Sequence, residues 1–234
     1  MQFCASCGNR LDVAARKEEE RKLVTVLFAD LAGSTALGEQ LDPERLRALL
    51  SEYFGAMASV IESWGGNVEK FVGDAVMSVF GVPSMHEDDP ERALHAALDM
   101  RARLLEMNPD LRERHGVELA MRIGVNTGEV IAGTGGDQLM VTGDAVNVAA
   151  RLQQTAEPGQ VVVGERTYLA ARTAFDFEPL AERALKGKSL PVPTWRLVGA
   201  AEVVRTRGLP GISTGLVGRA QELGVLTTLY RATV

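Results

Sequence analysis

Apolar positions along the chain fall into blocks whose period changes. The run LVTVLFAD, residues 23–30, is apolar at nearly every position and ends in a carboxylate. A run of that kind predicts a strand covered on both faces. From Asp42 the period becomes helical, with Leu46, Leu49, Leu50, Tyr53, Met57, Val60, Ile61 and Trp64 recurring at helical spacing. Asp42 suits the N-cap, Pro43 the first helical position and Gly65-Gly66 the stop. Two short runs, EKFV and AVMSVF, flank Gly73-Asp74, which predicts a β-hairpin with Asp74 at its tip. A second helix opens at Asp89-Pro90 and turns Leu94, Ala97, Leu98, Leu104 and Leu105 inward. MRIGVN and EVIAG predict a further hairpin that turns at Thr127-Gly128. LMVT reads as a strand leading into a helix from Asp144 to about Glu157, closed by Pro158-Gly159. QVVVGE as a strand, ERTYLAA as a short helix, and strands around FEPLAERAL and TWRLV complete the pattern. Helices and strands alternate, yet hairpins intrude repeatedly, so the expected class is α+β with a mixed sheet and not a doubly wound fold.

The 234 residues suffice for one ordinary domain with tails, or for two very small domains. Residues 1–20 contain CASCGNRL and end in a charge run, residues 21–199 carry the periodic pattern, and residues 200–234 include a linker-like RTRGLPGIST. The net charge of −6 gives no general attraction to nucleic acid or an anionic membrane. A polyphosphate ligand would need locally placed cations. No run approaches about 18 apolar residues, and no charged start precedes an apolar stretch, which predicts a cytoplasmic protein. Cys4 and Cys7 are too few for a disulfide scaffold.

Candidate chemistry sits at the ends of these elements. Asp30 ends a strand and Asp74 occupies a hairpin tip, positions from which a rigid sheet can aim two carboxylates at one point. Two carboxylates with substrate phosphates make a hard-oxygen site for Mg2+ or Mn2+. Taken singly, Asp30 is also an ordinary cap and Asp74 an ordinary turn residue. The backbone amides of Leu31, Ala32, Gly33 and Ser34 precede a helix and form a candidate anion cradle. Asn147 and Arg151, four apart on a helix, share one face, while Ala145, Val148, Ala149 and Leu152 line another. An amide and a guanidinium there suit a ribose and a phosphate, or simply a solvated face. Arg122 interrupts the strand MRIGV on the face shared with Gly124, which leaves room for a ligand. Lys186, in ALKGKS, is a second basic candidate on a turn. His86, His95 and His115 match no ligand spacing.

In order and spacing, LVTVLFADLAGST, EKFVGDAVMSVFG, MRIGVNTGEVIAG, TGDAVNVAARLQ and ALKGKS resemble the class III adenylyl and guanylyl cyclase catalytic domain, over about 22–199. The resemblance implies an α+β, ferredoxin-like domain with a mixed, mostly antiparallel sheet and flanking helices. It also implies a head-to-tail homodimer with active sites at the interface. The implied reaction converts ATP to 3′,5′-cyclic AMP and pyrophosphate, by in-line attack of the ribose 3′-oxygen on the α-phosphorus, with two divalent cations. On that resemblance Asp30 and Asp74 are the metal ligands, from one subunit. Asn147, orienting the ribose, and Arg151, stabilising the transition state, come from the other. Lys70 reads the purine, and Arg122 and Lys186 hold phosphates. Met140 departs from the pattern: adenylyl cyclases usually have Asp or Thr there, and a thioether accepts hydrogen bonds weakly. Guanylyl cyclases usually place Glu at the lysine position, so Lys70 favours ATP.

The tails carry further resemblances. FCASCGNRL is similar to half of a zinc ribbon, though two thiolates cannot close a tetrahedral site alone. LVGRAQEL resembles the opening of a signal-transduction ATPase module, without its P-loop. Gly135-Gly136-Asp137 begins like a diguanylate cyclase signature, but Gln138 and Leu139 follow where an acidic residue is needed. The competing expectation is a weak or inactive cyclase-like domain that binds nucleotide or dimerises to regulate a fused partner. Met140 speaks for it, and the full set of catalytic residue types against it.

Overall fold

A computed structural model of the chain describes residues 2–3, 10–11, 20–135, 138–181, 192–202, 225 and 228, with the side chains of 2–3, 10–11, 35–36 and 134–139 outside that description. The chain divides into two compact units, Met1–Val204 and Arg205–Val234. In the second, Val225 and Thr228 are helical and exposed. Cys4, Cys7 and Lys186 lie outside the described residues.

In the first unit, β1 (Gln2–Phe3) and β2 (Arg10–Leu11) form a short antiparallel ribbon. The main sheet begins with β3 (Glu20–Leu31), followed by α1 (Ser34–Gln40) and α2 (Pro43–Ser63). A hairpin of β4 (Asn67–Val72) and β5 (Ala75–Phe80) precedes the long α3 (Asp89–His115). Then come β6 (Met121–Gly135), β7 (Gln138–Thr142), α4 (Asp144–Thr155), β8 (Val161–Gly164), α5 (Glu165–Ala171), β9 (Phe175–Pro179) and β10 (Thr194–Ala200). The strands run in the order β4-β5-β3-β6-β8-β10-β9, with β7 paired to β6. Every pairing in it is antiparallel except β6 with β8. The expected mixed, mostly antiparallel sheet with flanking helices is what forms.

The central strand β3 is covered on both faces, as its unbroken apolar run predicts. Leu27, Ala29 and Leu31 join Met121, Ile123 and Val125 of β6 in the larger core, under α2 and α3. Val24 and Val26 face the other way, with Met77, Val79 and Val130, under Ala145 and Ala149 of α4. The period of two thus sends even positions of β3 and β6 to the α4 face and odd positions to the α2–α3 face. Among the described residues, no helix is long and apolar enough to cross a membrane.

Three expectations are corrected. No hairpin turns at Thr127-Gly128: β6 is one strand of 15 residues that passes straight through, with Thr127 opposite Thr25 and Gly128 opposite Val24. Gly128 serves a neighbour and not a turn, because a Cβ there would lie 2.8 Å from the Ala145 Cβ. Leu105 is exposed, whereas Leu94, Ala97 and Leu104 are buried. The buried stripe of α3 continues through Met100, Met107 and Leu111 instead, on the side opposite Leu105. The strand expected around FEPLAERAL starts and ends earlier, at Phe175–Pro179.

Candidate active site

The site begins with a register. Antiparallel pairing of β3 with β6 sets Asp30 directly opposite Arg122, on the α4 face. The Arg122 Nη2 donates to Asp30 Oδ2 at 2.8 Å. Asp30 retains 19% of its side-chain exposure. The Arg122 Nε is buried and makes no hydrogen bond.

Asp74 follows Gly73, which turns the β4–β5 hairpin in the left-handed region at φ 64°. A side chain at Gly73 would be strained, so glycine fixes where the next carboxylate points. Burial pushes the Asp30 carboxyl above the usual carboxylate range, and the adjoining Asp74 carboxyl pushes it further, while Arg122 opposes both. Asp74 Oδ2 is buried without a hydrogen-bond partner. The hydroxyl of fully buried Tyr53, on α2, is also unpartnered. Burial and the charges of Asp30 and Asp74 raise its pKa, so it stays a neutral hydroxyl.

Two crowded carboxylates, one with an orphaned oxygen, fit a divalent cation: a positive charge between them removes the repulsion and satisfies the free lone pairs. Among the described residues no group of three or more His, Cys, Asp or Glu converges. Asp30 and Asp74 would offer such a cation two hard oxygen ligands, and water or substrate oxygens would complete the shell.

Helix α4 packs over β3 and reaches Asp30. It approaches the sheet closely because β6 carries glycine beneath it. A Cβ on Gly124 would fall 2.3 Å from the Gln153 backbone nitrogen and 2.4 Å from the Ala149 oxygen. At this distance Gln153, 6% exposed, donates from Nε2 to Asp30 Oδ2 at 3.0 Å. Sequence reasoning missed Gln153. The signal was a glutamine directly after Leu152 in the apolar stripe of α4, where burial requires a partner. Asn147 and Arg151 occupy the other side: Asn147 is exposed and Arg151 half-buried, while Ala145, Val148, Ala149, Leu152 and Gln153 face the sheet. Among the described residues, neither is hydrogen-bonded or ion-paired to Asp30 or Asp74.

Lys70 follows a bulge in β4, where pairing shifts between Val68 and Lys70. Bulges re-aim side chains beside sites. Its ammonium rests 3.1 Å from Glu69 Oε2 and remains half exposed. Met140, 55% exposed, sits on β7, and β7 lies against β4. The two purine-position candidates therefore stand on neighbouring strands. In the expected anion cradle, Gly33 caps α1 at φ 77°, but the Ala32 amide donates to Ala120 O at 2.8 Å. That donor is already used, which leaves Gly33 and Ser34 as the stronger members. His95 is stacked on Trp64 at 4.5 Å and packs against Phe175, and the His86 imidazole and backbone nitrogen meet Asp89; neither histidine belongs to the site.

The model of the family described as "Adenylate and Guanylate cyclase catalytic domain" matches residues 16–199. The chain is 31% identical over 225 residues to an adenylate cyclase of Mycobacterium tuberculosis, covering 91% of this chain and 48% of that protein. It is 31% identical over 192 residues to adenylate cyclase 1 of Rhizobium meliloti, covering 80% and 29%. The chain thus spans half or less of the length of these relatives. Among solved structures, the adenylyl cyclase CyaB from P. aeruginosa superposes with a TM-score of 0.76 at 32% identity, covering 79% of this chain and 98% of that one. The guanylyl cyclase Cya2 superposes at 0.75 with 34% identity, covering 79% and 95%. The chain belongs to the adenylate and guanylate cyclase catalytic domain family.

Proposed function

We propose that this domain is an adenylate cyclase that works as a homodimer, converting ATP to 3′,5′-cyclic AMP and pyrophosphate. The observation that carries the proposal is the two-sidedness of α4. Gln153 meets Asp30 on its sheet side, and Asn147 and Arg151 lie on its outer side. A complete site then needs the outer side of a second chain's α4 brought against Asp30 and Asp74. A two-fold dimer does this twice.

In this reading Asp30 and Asp74 hold the divalent cations, Mg2+ or Mn2+, which would neutralise phosphate charge and ease deprotonation of the ribose 3′-hydroxyl. Asn147 orients the ribose so that its 3′-oxygen lines up with the α-phosphorus. Arg151 meets the charge that develops on the phosphoryl oxygens only in the transition state, so it acts on turnover more than on binding. Arg122 holds Asp30, and with Lys186 and the amides of Gly33 and Ser34 it faces the phosphates. Lys70 accepts the purine, aided by the β7 strand that carries Met140. The names of relatives include both adenylate and guanylate cyclases; Lys70 supports the choice of ATP.

Met140 favours a second reading, a nucleotide-binding or dimerising domain with little turnover that regulates a larger protein. One assay separates the two. Purified protein with Mn2+ and ATP yields cyclic AMP and pyrophosphate in equal amounts if the first holds. A dimer that binds ATP without making either product would overturn it.

A further inference from the structure

We infer that Gln153 is a positioning residue for Asp30, fixing which carboxylate oxygen remains available to a divalent cation. The inference rests on the reading of Asp30 and Asp74 as cation ligands, and concerns a residue outside that set. Two donors converge on one oxygen, Oδ2 of Asp30: the Arg122 guanidinium at 2.8 Å and the Gln153 amide at 3.0 Å. With Oδ2 doubly engaged, the carboxylate can neither rotate nor exchange its oxygens without breaking two hydrogen bonds. Oδ1 is then the oxygen left for the cation.

The chemistry of the amide explains why glutamine suits this place. A carboxylate only accepts, so the amide must present its NH2 group, which fixes the orientation of the Gln153 side chain. An amide also adds a donor without adding charge. Asp30 and Asp74 carry two negative charges against one positive charge from Arg122. A lysine at position 153 would cancel the remaining attraction for a cation, and a glutamate would add to the crowding. Gln153 is buried, so its hydrogen bond is not exchanged freely with water.

The backbone supports the same assignment. Gln153 reaches Asp30 because α4 presses onto β6 at Gly124, where no Cβ fits between the Gln153 nitrogen and the Ala149 oxygen. The glycine and the glutamine thus make one device: the first sets the depth of the helix, and the second uses that depth. The helix that carries Asn147 and Arg151 on its outer side is tied through Gln153 to the carboxylate of its own chain.

The test is Gln153→Met, which keeps length and volume and deletes the donor, with Gln153→Glu as a polar counterpart that also lacks the NH2 group. Mn2+ binding is measured by calorimetry without nucleotide, alongside circular dichroism, the metal-free thermal midpoint, and kcat and KM for ATP. The expected result is a folded Gln153→Met protein with Mn2+ affinity and kcat each reduced about tenfold or more, the usual effect of losing a partner to a metal ligand. KM for ATP should move by less than about twofold, since Gln153 contacts no nucleotide group in this reading. Gln153→Glu should not restore either quantity. A folded Gln153→Met protein with wild-type Mn2+ affinity and kcat would overturn the inference and leave the cyclase reading intact. A wild-type protein that binds no Mn2+ would remove the cation reading and this inference together.

Discussion

Arg122 and Asp30 face each other from adjacent antiparallel strands, joined at 2.8 Å, yet the Asp30 carboxyl is still held above the usual carboxylate range. One arginine does not compensate for burial and for the second carboxylate of Asp74. The metal-free fold therefore carries an electrostatic cost that a bound cation would remove.

The sign of that cost gives the first prediction. A carboxyl with a raised folded-state pKa binds its proton more tightly folded than unfolded, so stability is lost as pH rises past the unfolded value, and the loss is complete above the folded one. Asp74→Asn should raise the thermal midpoint in EDTA by roughly 2–4 °C, the shift that about 1 kcal/mol produces in a domain this size. Cyclic AMP formation should fall about a thousandfold, given the several kcal/mol that metal assistance supplies. Mn2+ should raise the midpoint of the wild type far more than that of the variant. A lower midpoint for metal-free Asp74→Asn would show that the carboxylate supports the fold and does not strain it.

A second prediction separates depth from chemistry. Gly124→Ala places a Cβ against backbone atoms of α4, which cannot swing aside as a side-chain tip can. The helix must lift, at the roughly 1–3 kcal/mol typical of overpacking. The midpoint should drop by about 2–10 °C on that basis. Activity should fall by more than the folded fraction accounts for, because Gln153, Asn147 and Arg151 all ride on the displaced helix. Activity that tracks the folded fraction alone would mean the position of α4 is not critical.

What the sequence disclosed, and what it concealed, follows from the range of the interactions. The buried strand, the Pro43 helix, the Gly73-Asp74 hairpin and the α4 helix are local patterns, and each was readable. Asp30 and Asp74 were readable as candidates because strand ends and hairpin tips are local features too. Gly128 misled because a glycine kept for helix contact looks, in one dimension, like a glycine kept for a turn; only Ala145 across the sheet distinguishes them. The Gln153–Asp30 bond spans 123 residues, and nothing in sequence spacing specifies it. The use of the Ala32 amide by Ala120 was hidden for the same reason. Leu105 was misplaced because a helix of 27 residues has more leucines than its buried face can take.

The third prediction concerns the purine. Met140 offers no strong acceptor to the adenine amino group, so discrimination between ATP and GTP should be modest, on the order of tenfold by the worth of one missing contact. Met140 is exposed on β7, so replacing it should leave the fold unchanged. Met140→Asp and Met140→Thr should each sharpen the preference for ATP, by about tenfold or more, because a site with an unpaired acceptor penalises the wrong base. The measurement is the ratio of kcat/KM for the two nucleotides in competition. A strong preference in the wild type that neither variant alters would place adenine recognition elsewhere.

The last prediction tests whether one chain holds a complete site. Asp74 lies on the β4–β5 hairpin, on the sheet side of the arrangement, and Arg151 lies on the outer side of α4. If catalysis needed only one chain, Asp74→Ala and Arg151→Ala proteins would each be inactive, and mixing them would change nothing. If the groups meet across a two-fold axis, a mixed dimer has one site lacking both groups and one site lacking neither. Each heterodimer should then show about half the activity of a wild-type dimer, by symmetry alone. Random exchange in an equal mixture makes about half of the dimers mixed, so the mixture should reach about a quarter of wild-type activity. Dilution should lower the activity if the dimer is weak, because a separated chain presents an incomplete site. The variants would be purified with different tags, exchanged, and isolated as heterodimers through both tags before cyclic AMP is measured. Tandem-purified heterodimers with no activity above that of the parent variants would reject the shared site, and recovery well above half would point to sites that do not act independently.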